Sequence, residues 1–198
     1  MSAAVTSGSP FTEHSAFTEY SIESAPPAAR RFMTATRDHL GYLPAGMARM
    51  AASPQLIDGF LKLTAIFDST SLDPLAREVV VMTIATRNGC HICVAMHTAM
   101  LTGLGAGPEL IAALRGTEPL PDERLDAIRV FTLRVLDTAG DVGEAALRDF
   151  LARGYTTQNA LEVVLGIGTY TMSTLANRLT GAPLDDQLAA HAWEPRTA

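Results

Sequence analysis

The segment Asp73–Gly103, DPLAREVVVMTIATRNGCHICVAMHTAMLTG, decides the fold. Asp73 and Pro74 punctuate a helix start, because an aspartate side chain can cap and proline's fixed φ suits the first helical position. Leu75, Val79, Met82 and Thr86 then recur at helical spacing. The β-branched run Val79-Val80-Val81 therefore reads as a helix buried on most sides, not as a strand. Asn88-Gly89 closes it, and a helix precedes this dipeptide, so it is not a hairpin turn. A second helix starts at Cys90 and runs to Gly103.

The same punctuation recurs outward from this segment. Pro26-Pro27 opens a helix over Ala28–Leu40 that Gly41 closes. Ser53-Pro54 opens another, with Leu56, Phe60, Leu63 and Phe67 on one face. Helices are expected at Glu109–Leu114, Asp122–Thr138, Glu144–Arg153 and Thr157–Leu179. The expected fold class is an all-α helical bundle. Residues 1–25, rich in Ser, Thr, Ala and Pro, read as a tail that orders by packing on another subunit. Residues 26–198 read as a single all-α domain with its redox motif in 73–103. A faint echo pairs Glu78-Val79-Val80 and Leu101-Thr102-Gly103 with Glu162-Val163-Val164 and Leu179-Thr180-Gly181. It reads either as chance or as two similar helical halves of which only the first carries cysteines.

Composition narrows the function. The chain has 198 residues, 47% of them hydrophobic and only 18% charged, with a net charge of -6. A chain this long buries about 70% of its unfolded surface, enough for a core without disulfides. The charged share lies below the roughly 25% of an average soluble domain. Apolar surface is then available for subunit contacts, and a homo-oligomer is expected. Lys62 is the one lysine among 15 basic residues, and the arginines are scattered. No basic stripe exists to follow phosphates, so no nucleic acid partner is expected. No apolar run approaches the roughly 20 residues of a membrane span, so no membrane partner is expected either. Met1–Pro10 has neither the charged start nor the apolar stretch of a signal peptide, and the expected compartment is cytoplasmic. Disulfide scaffolds are rare there. The two cysteines therefore read as redox or metal chemistry.

Cys90 and Cys93 form a Cys-x-x-Cys at a helix start. First-turn N–H groups and the helix dipole favour an anion there, which lowers a thiol pKa. The i, i+3 spacing puts both sulfurs on one face. His97, four residues after Cys93, continues that stripe and carries a group suited to proton transfer near neutrality. Glu78 lies on the preceding helix, roughly 15 Å back from the turn, and His97 roughly 12 Å beyond it. Antiparallel packing brings the two level, and Glu78, His97 and Cys93 then form a proton relay. The matching chemistry is peroxide reduction, with a sulfenic acid that condenses to a disulfide and an external dithiol that reopens it. No cofactor is expected.

Together, Glu78, Cys90-x-x-Cys93 and His97 resemble the core motif of the alkylhydroperoxidase D-like proteins, within the carboxymuconolactone decarboxylase-like superfamily. The resemblance is strong over about residues 50–103 and loose over the C-terminal half. It implies an all-α fold assembled into trimers or hexamers. It implies a peroxidase acting on organic hydroperoxides, with Cys93 as attacking thiol, Cys90 as resolving thiol, and Glu78 and His97 as the relay. It also implies an external dithiol, typically a lipoyl-type reductant passed from a partner protein. Ile92 stands where the family's pattern has a histidine, and the histidine is shifted to His91. Lactone decarboxylases of the superfamily share the fold, generally without the cysteine pair.

Other readings of the same residues remain. The cysteines can be small buried hydrophobes. Cys90, Cys93, His97 and Glu78 can in principle ligate a metal, although structural zinc usually draws on a second Cys or His pair. A redox-responsive interaction or sensor protein would keep the disulfide without turnover, and lactone chemistry would not need the thiols. His91 faces either solvent or a neighbouring subunit. His14 and His39 carry no signal. His191 and Trp193 read as anchors of the C-terminal tail, and Met82, Met96 and Met100 as core or cavity lining.

Overall fold

The computed structural model describes residues 16–195. Among the described residues nine α-helices follow one another: α1 (Pro27–Leu40), α2 (Ala45–Met50), α3 (Pro54–Asp68), α4 (Pro74–Arg87), α5 (His91–Gly103), α6 (Pro108–Gly116), α7 (Glu123–Asp137), α8 (Gly143–Ala152) and α9 (Thr157–Thr180). A 3₁₀ turn, Asp186–His191, follows. Among the described residues there is no strand, so the all-α expectation holds. The helix ends follow local chemistry. Proline opens α1, α3, α4 and α6. Ser53, Asp73 and Asp122 each accept a backbone N–H of the first turn, satisfying a donor the helix leaves orphaned. Thr156 and Asn159 form a reciprocal capping box at α9. Gly41, at φ 81°, ends α1 in a left-handed cap.

α4 is the central element. Val79, Val80, Met82, Ile84 and Ala85 are fully buried, and α5, α7 and α9 all pack against the helix. The valine run is buried on several sides, which explains why it shows so little polar face. α9 also packs on α2 and α3. Two apolar clusters result, the larger around α4 and the smaller built from Ala25, Met33, Met47, Met50 and Ile57. Phe60 packs against both. Among the described residues no helix is long and apolar enough to cross a membrane.

Three expectations need correction. Residues 16–25 of the expected tail pack on their own chain, while residues 1–15 lie outside the described residues. Tyr20 N donates to Ala48 O at 3.3 Å, Glu19 pairs with Arg49, and Ala25 sits in the smaller cluster. The apolar side chains of Tyr20 and Ile22 gain burial there that a detached tail would forgo. The echo is not a structural repeat. Its first copy bends at Asn88-Gly89 into two helices, whereas its second is the uninterrupted α9. Its two glutamates also differ. Glu162 accepts hydrogen bonds from Ser71 and Asn159 and so ties the α3–α4 loop to α9. Burial pushes its carboxyl up, but those bonds outweigh this and hold it below the usual carboxylate range. Finally, α2 and the 3₁₀ turn lie where no element was expected.

The contact of α9 with α3 and α4 depends on Gly166. A Cβ there would lie 2.7 Å from Phe67 Cε2 and 3.1 Å from Val80 Cγ1, both in the core. Gly166→Ala is therefore expected to cost about 1–3 kcal/mol by overpacking. Denaturant unfolding measures it, and an unchanged midpoint would show that the Phe67 ring yields freely.

Candidate active site

The α4–α5 turn sets the site. Gly89 sits at φ +62°, and an added Cβ would collide with the Arg178 guanidinium. Arg178 donates to Asn88 O, and Asn88 Nδ2 donates to Thr174 Oγ1 at 2.8 Å, so α9 clamps the turn from outside. Cys90 is the N-cap residue of α5, and Cys93 lies in its first turn. Both are free thiols with their sulfurs 2.6 Å apart. Glu78 Oε2 lies 2.8 Å from His97 Nδ1, and both side chains are buried. The antiparallel register derived from the turn is therefore the observed one. Glu78 occupies Nδ1, which leaves Nε2 of His97 for proton exchange. Tyr170 packs its ring edge-on to His97, with centroids 5.4 Å apart.

The four residues singled out by spacing, Glu78, Cys90, Cys93 and His97, are thus brought together. Two of them, Cys93 and His97, line a cavity of about 370 Å³ where the two apolar clusters meet. Its walls are mainly apolar, with Met47 and Met50 from α2, Phe60 and Leu61 from α3, and Met96 and Met100 from α5. A cavity of this size suits a small organic molecule. Cys93 and His97 open onto it, and Cys90 does not. Cys93 is 7% exposed and Cys90 1%.

Charge and access are divided between the sulfurs. A hydrogen bond from Cys93 holds the Cys90 thiol below its usual range against the effect of burial. The Cys93 backbone, Asn177 and the His97 charge add to the lowering. The Cys93 thiol is pushed well up by its bond to Cys90, by burial and by the charge on Cys90. Of the two sulfurs, Cys90 is thus the one whose thiolate its surroundings favour, while Cys93 is the sulfur a molecule in the cavity meets.

Several residues of this cavity escaped the sequence reading. Tyr170, Ser173 and Asn177, spaced i, i+3 and i+7 on α9, face it, and Asn177 Nδ2 donates to Cys93 Sγ at 3.3 Å. His39, set aside as uninformative, lines the opposite wall, and Ile92 lines it where the family pattern has a histidine. His91 is half-buried outside the cavity, and burial together with the Arg178 charge holds it below the usual histidine range. His14 lies outside the described residues. Met82 is core, while Trp193 packs on the core and donates to Arg115 O at 3.0 Å. Among the described residues no three Cys, His, Asp or Glu side chains are grouped as a metal ion requires.

Residues 51–132 match the carboxymuconolactone decarboxylase family. That matched segment holds Glu78, Cys90, Cys93 and His97, and over it the chain is similar to the family. Its fold is alkylhydroperoxidase D-like. The crystal structure of an alkylhydroperoxidase AhpD core, an uncharacterized peroxidase-related protein from Ralstonia eutropha JMP134, matches with a TM-score of 0.76 at 20% identity. That match covers 87% of this chain and 93% of the other. An uncharacterized peroxidase-related protein from Silicibacter sp. TM1040 matches at 0.70 and 18% identity, over 82% and 87%. The debrominase Bmp8 matches at 0.67 and 18% identity, over 83% and 90%. This fold is thus shared by proteins of different named activities. No curated protein is significantly similar to the chain in sequence.

Proposed function

We propose that this chain is a thiol-dependent peroxidase that reduces organic hydroperoxides. One observation carries the reading: Cys93 of the dithiol pair and His97 of the Glu78–His97 couple share the wall of one apolar cavity. The Cys93 thiolate attacks the terminal oxygen of the hydroperoxide. An S–O bond forms and the O–O bond breaks, so the sulfur is oxidised by two electrons and the peroxide reduced. The departing alkoxide takes a proton from His97 Nε2 and leaves as the alcohol, with Glu78 stabilising the imidazolium while it is charged. Cys90 then attacks the sulfenic acid of Cys93. A disulfide forms and water leaves. An external dithiol, of the lipoyl type, reopens the disulfide by exchange at Cys93, the sulfur open to the cavity.

The first test is a thiol count before and after one equivalent of an organic hydroperoxide. Both thiols are expected to vanish together and to return with a dithiol. Turnover with excess dithiol separates this reading from a redox sensor. Thiols inert to peroxide would overturn it, as would thiols oxidised only by 2,3,4-tribromopyrrole, the compound bound to Bmp8 in a second structure of that debrominase.

We further propose that the protein works as a homo-oligomer through α9. The face of α9 turned away from α3 and α4 exposes Leu161, Val164, Leu175 and Leu179, the first and last at 73% and 74%. Gly168 completes the stripe at coiled-coil-like spacing. Such a row is costly in water and matches a second copy of itself about a twofold axis. The double variant Leu161→Glu, Leu179→Glu is expected to lower the mass measured by light scattering to that of a smaller species. A wild type that is already monomeric would overturn the proposal.

A further inference from the structure

We infer that Asn177 is a catalytic residue of this site: its amide donor stabilises the thiolate of Cys93, the sulfur that meets the substrate. The inference rests on the peroxidase reading for its role in turnover, but not for its geometry.

Three observations carry it. Asn177 Nδ2 donates to Cys93 Sγ at 3.3 Å. The other end of the amide, Oδ1, is buried and has no partner. A carboxamide kept only to tie helices together would bond at both ends, and an apolar side chain of the same shape would fill the place without leaving an acceptor unpaired. The third observation is the space made for it. Gly46 of α2 faces Asn177 so closely that a Cβ there would collide with Oδ1. Two helices far apart in sequence are therefore shaped around one amide, and that amide's bond goes to the reactive sulfur.

The chemistry follows from the division of charge and access. Cys90 at the start of α5 competes for the negative charge. Attack on a hydroperoxide needs the electron pair on Cys93. A neutral N–H donor at Sγ stabilises that thiolate, and unlike a cation it does not trap the charge permanently in a site that must release it at each turnover. Ser173, one helical turn earlier, lines the same wall and supports the Cys93 thiolate in the same sense. The other titratable groups around Cys93 are Cys90 and His97 on α5, Glu78 on α4, Tyr170 on α9, and His39 across the cavity on α1.

The test reads Cys93 without peroxide. The full chain, reduced, is alkylated with iodoacetamide across pH, and modification of Cys93 is followed by peptide mass spectrometry. Asn177→Leu is expected to slow alkylation at neutral pH about tenfold and to raise the midpoint of the pH profile by about one unit, as loss of one hydrogen bond to a charged group requires. Asn177→Ala, which adds no bulk, should do the same. Gly46→Ala, which displaces the amide without touching the sulfur, should move the midpoint in the same direction by a smaller amount. A merely structural role predicts lower stability with an unmoved midpoint, and that result in folded variants overturns the inference. If one variant fails to fold, the other two decide. Wild-type protein that consumes hydroperoxide while all three midpoints stay in place rejects the role of Asn177 alone. Shifted midpoints in a protein that never consumes hydroperoxide reject the peroxidase reading alone.

Discussion

Cys93→Ser is expected to abolish hydroperoxide turnover, by about a thousandfold or more, while Cys90→Ser still reacts once and then stops. The asymmetry follows from which sulfur the cavity exposes. Cys93 lines the cavity wall and Cys90 lies behind it. Serine at position 93 leaves no thiolate in reach of the O–O bond, and an alcohol is a far weaker nucleophile at neutral pH. Serine at position 90 leaves the attacking sulfur in place but removes the resolving one. The reaction then halts at a Cys93 sulfenic acid that a sulfenic-acid trap labels. The same substitution also removes the Cys90 thiolate, whose hydrogen bond is the first cause of the raised Cys93 thiol, ahead of burial and of the Cys90 charge. The single turnover of Cys90→Ser should therefore proceed at lower pH than that of the wild type. Stopped-flow measurement of peroxide loss, with mass spectrometry of the trapped adduct, checks both. Equal loss in the two variants with no sulfenic acid in either would show that the sulfurs act as a unit, without the assigned order.

The pairing of α4 with α5 was legible because its geometry is local. A tight turn at Asn88-Gly89 fixes the register of two antiparallel helices, and rise per residue alone brings Glu78 level with His97. Most helix ends were legible for the same reason, since Asp73-Pro74, Ser53-Pro54 and Gly41 act on their own neighbours. α2 was not, because six residues, Ala-Gly-Met-Ala-Arg-Met, are too short to show a period. They are helical through tertiary contact, and Gly46 has meaning only once Asn177 lies opposite it. Asn177 itself stands 84 positions from the sulfur it bonds. No spacing rule reaches that far. The available signal was Tyr170, Ser173 and Asn177, hydrogen-bonding groups that recur one turn apart along α9. The likeness of Glu162 to Glu78 drew the reading toward a repeat instead. The two glutamates differ by their partners, a histidine for one and the Ser71 loop for the other, and partners are a property of packing.

Glu78→Gln and His97→Asn should each slow oxidation of the thiols by hydroperoxide by about 10²–10⁴-fold, the usual worth of a positioned proton donor, and the double variant should be little worse than either. Glu78 and His97 meet in a 2.8 Å contact with both side chains 9% exposed, so neither is free to take another partner. If the imidazole protonates the alkoxide and the carboxylate serves only to orient and stabilise it, removing either one disables the same step. Effects of groups that act as a unit do not add. Two independent contributions would instead multiply, and that outcome would reject the relay. The conservative variants matter here. Removing one partner of a buried pair outright costs about 3–5 kcal/mol, because the other is left uncompensated. Glutamine at position 78 keeps an oxygen that accepts from His97 Nδ1, so Glu78→Gln should fold with a modest loss of stability while losing the charge the imidazolium needs. The alkylation profile of Cys93 separates the relay from a general collapse of the site. Alkylation by iodoacetamide delivers no proton to a leaving alkoxide, so it should lose far less than the peroxide reaction does. A parallel fall in both would place Glu78 and His97 in the upkeep of the thiolate rather than in proton delivery.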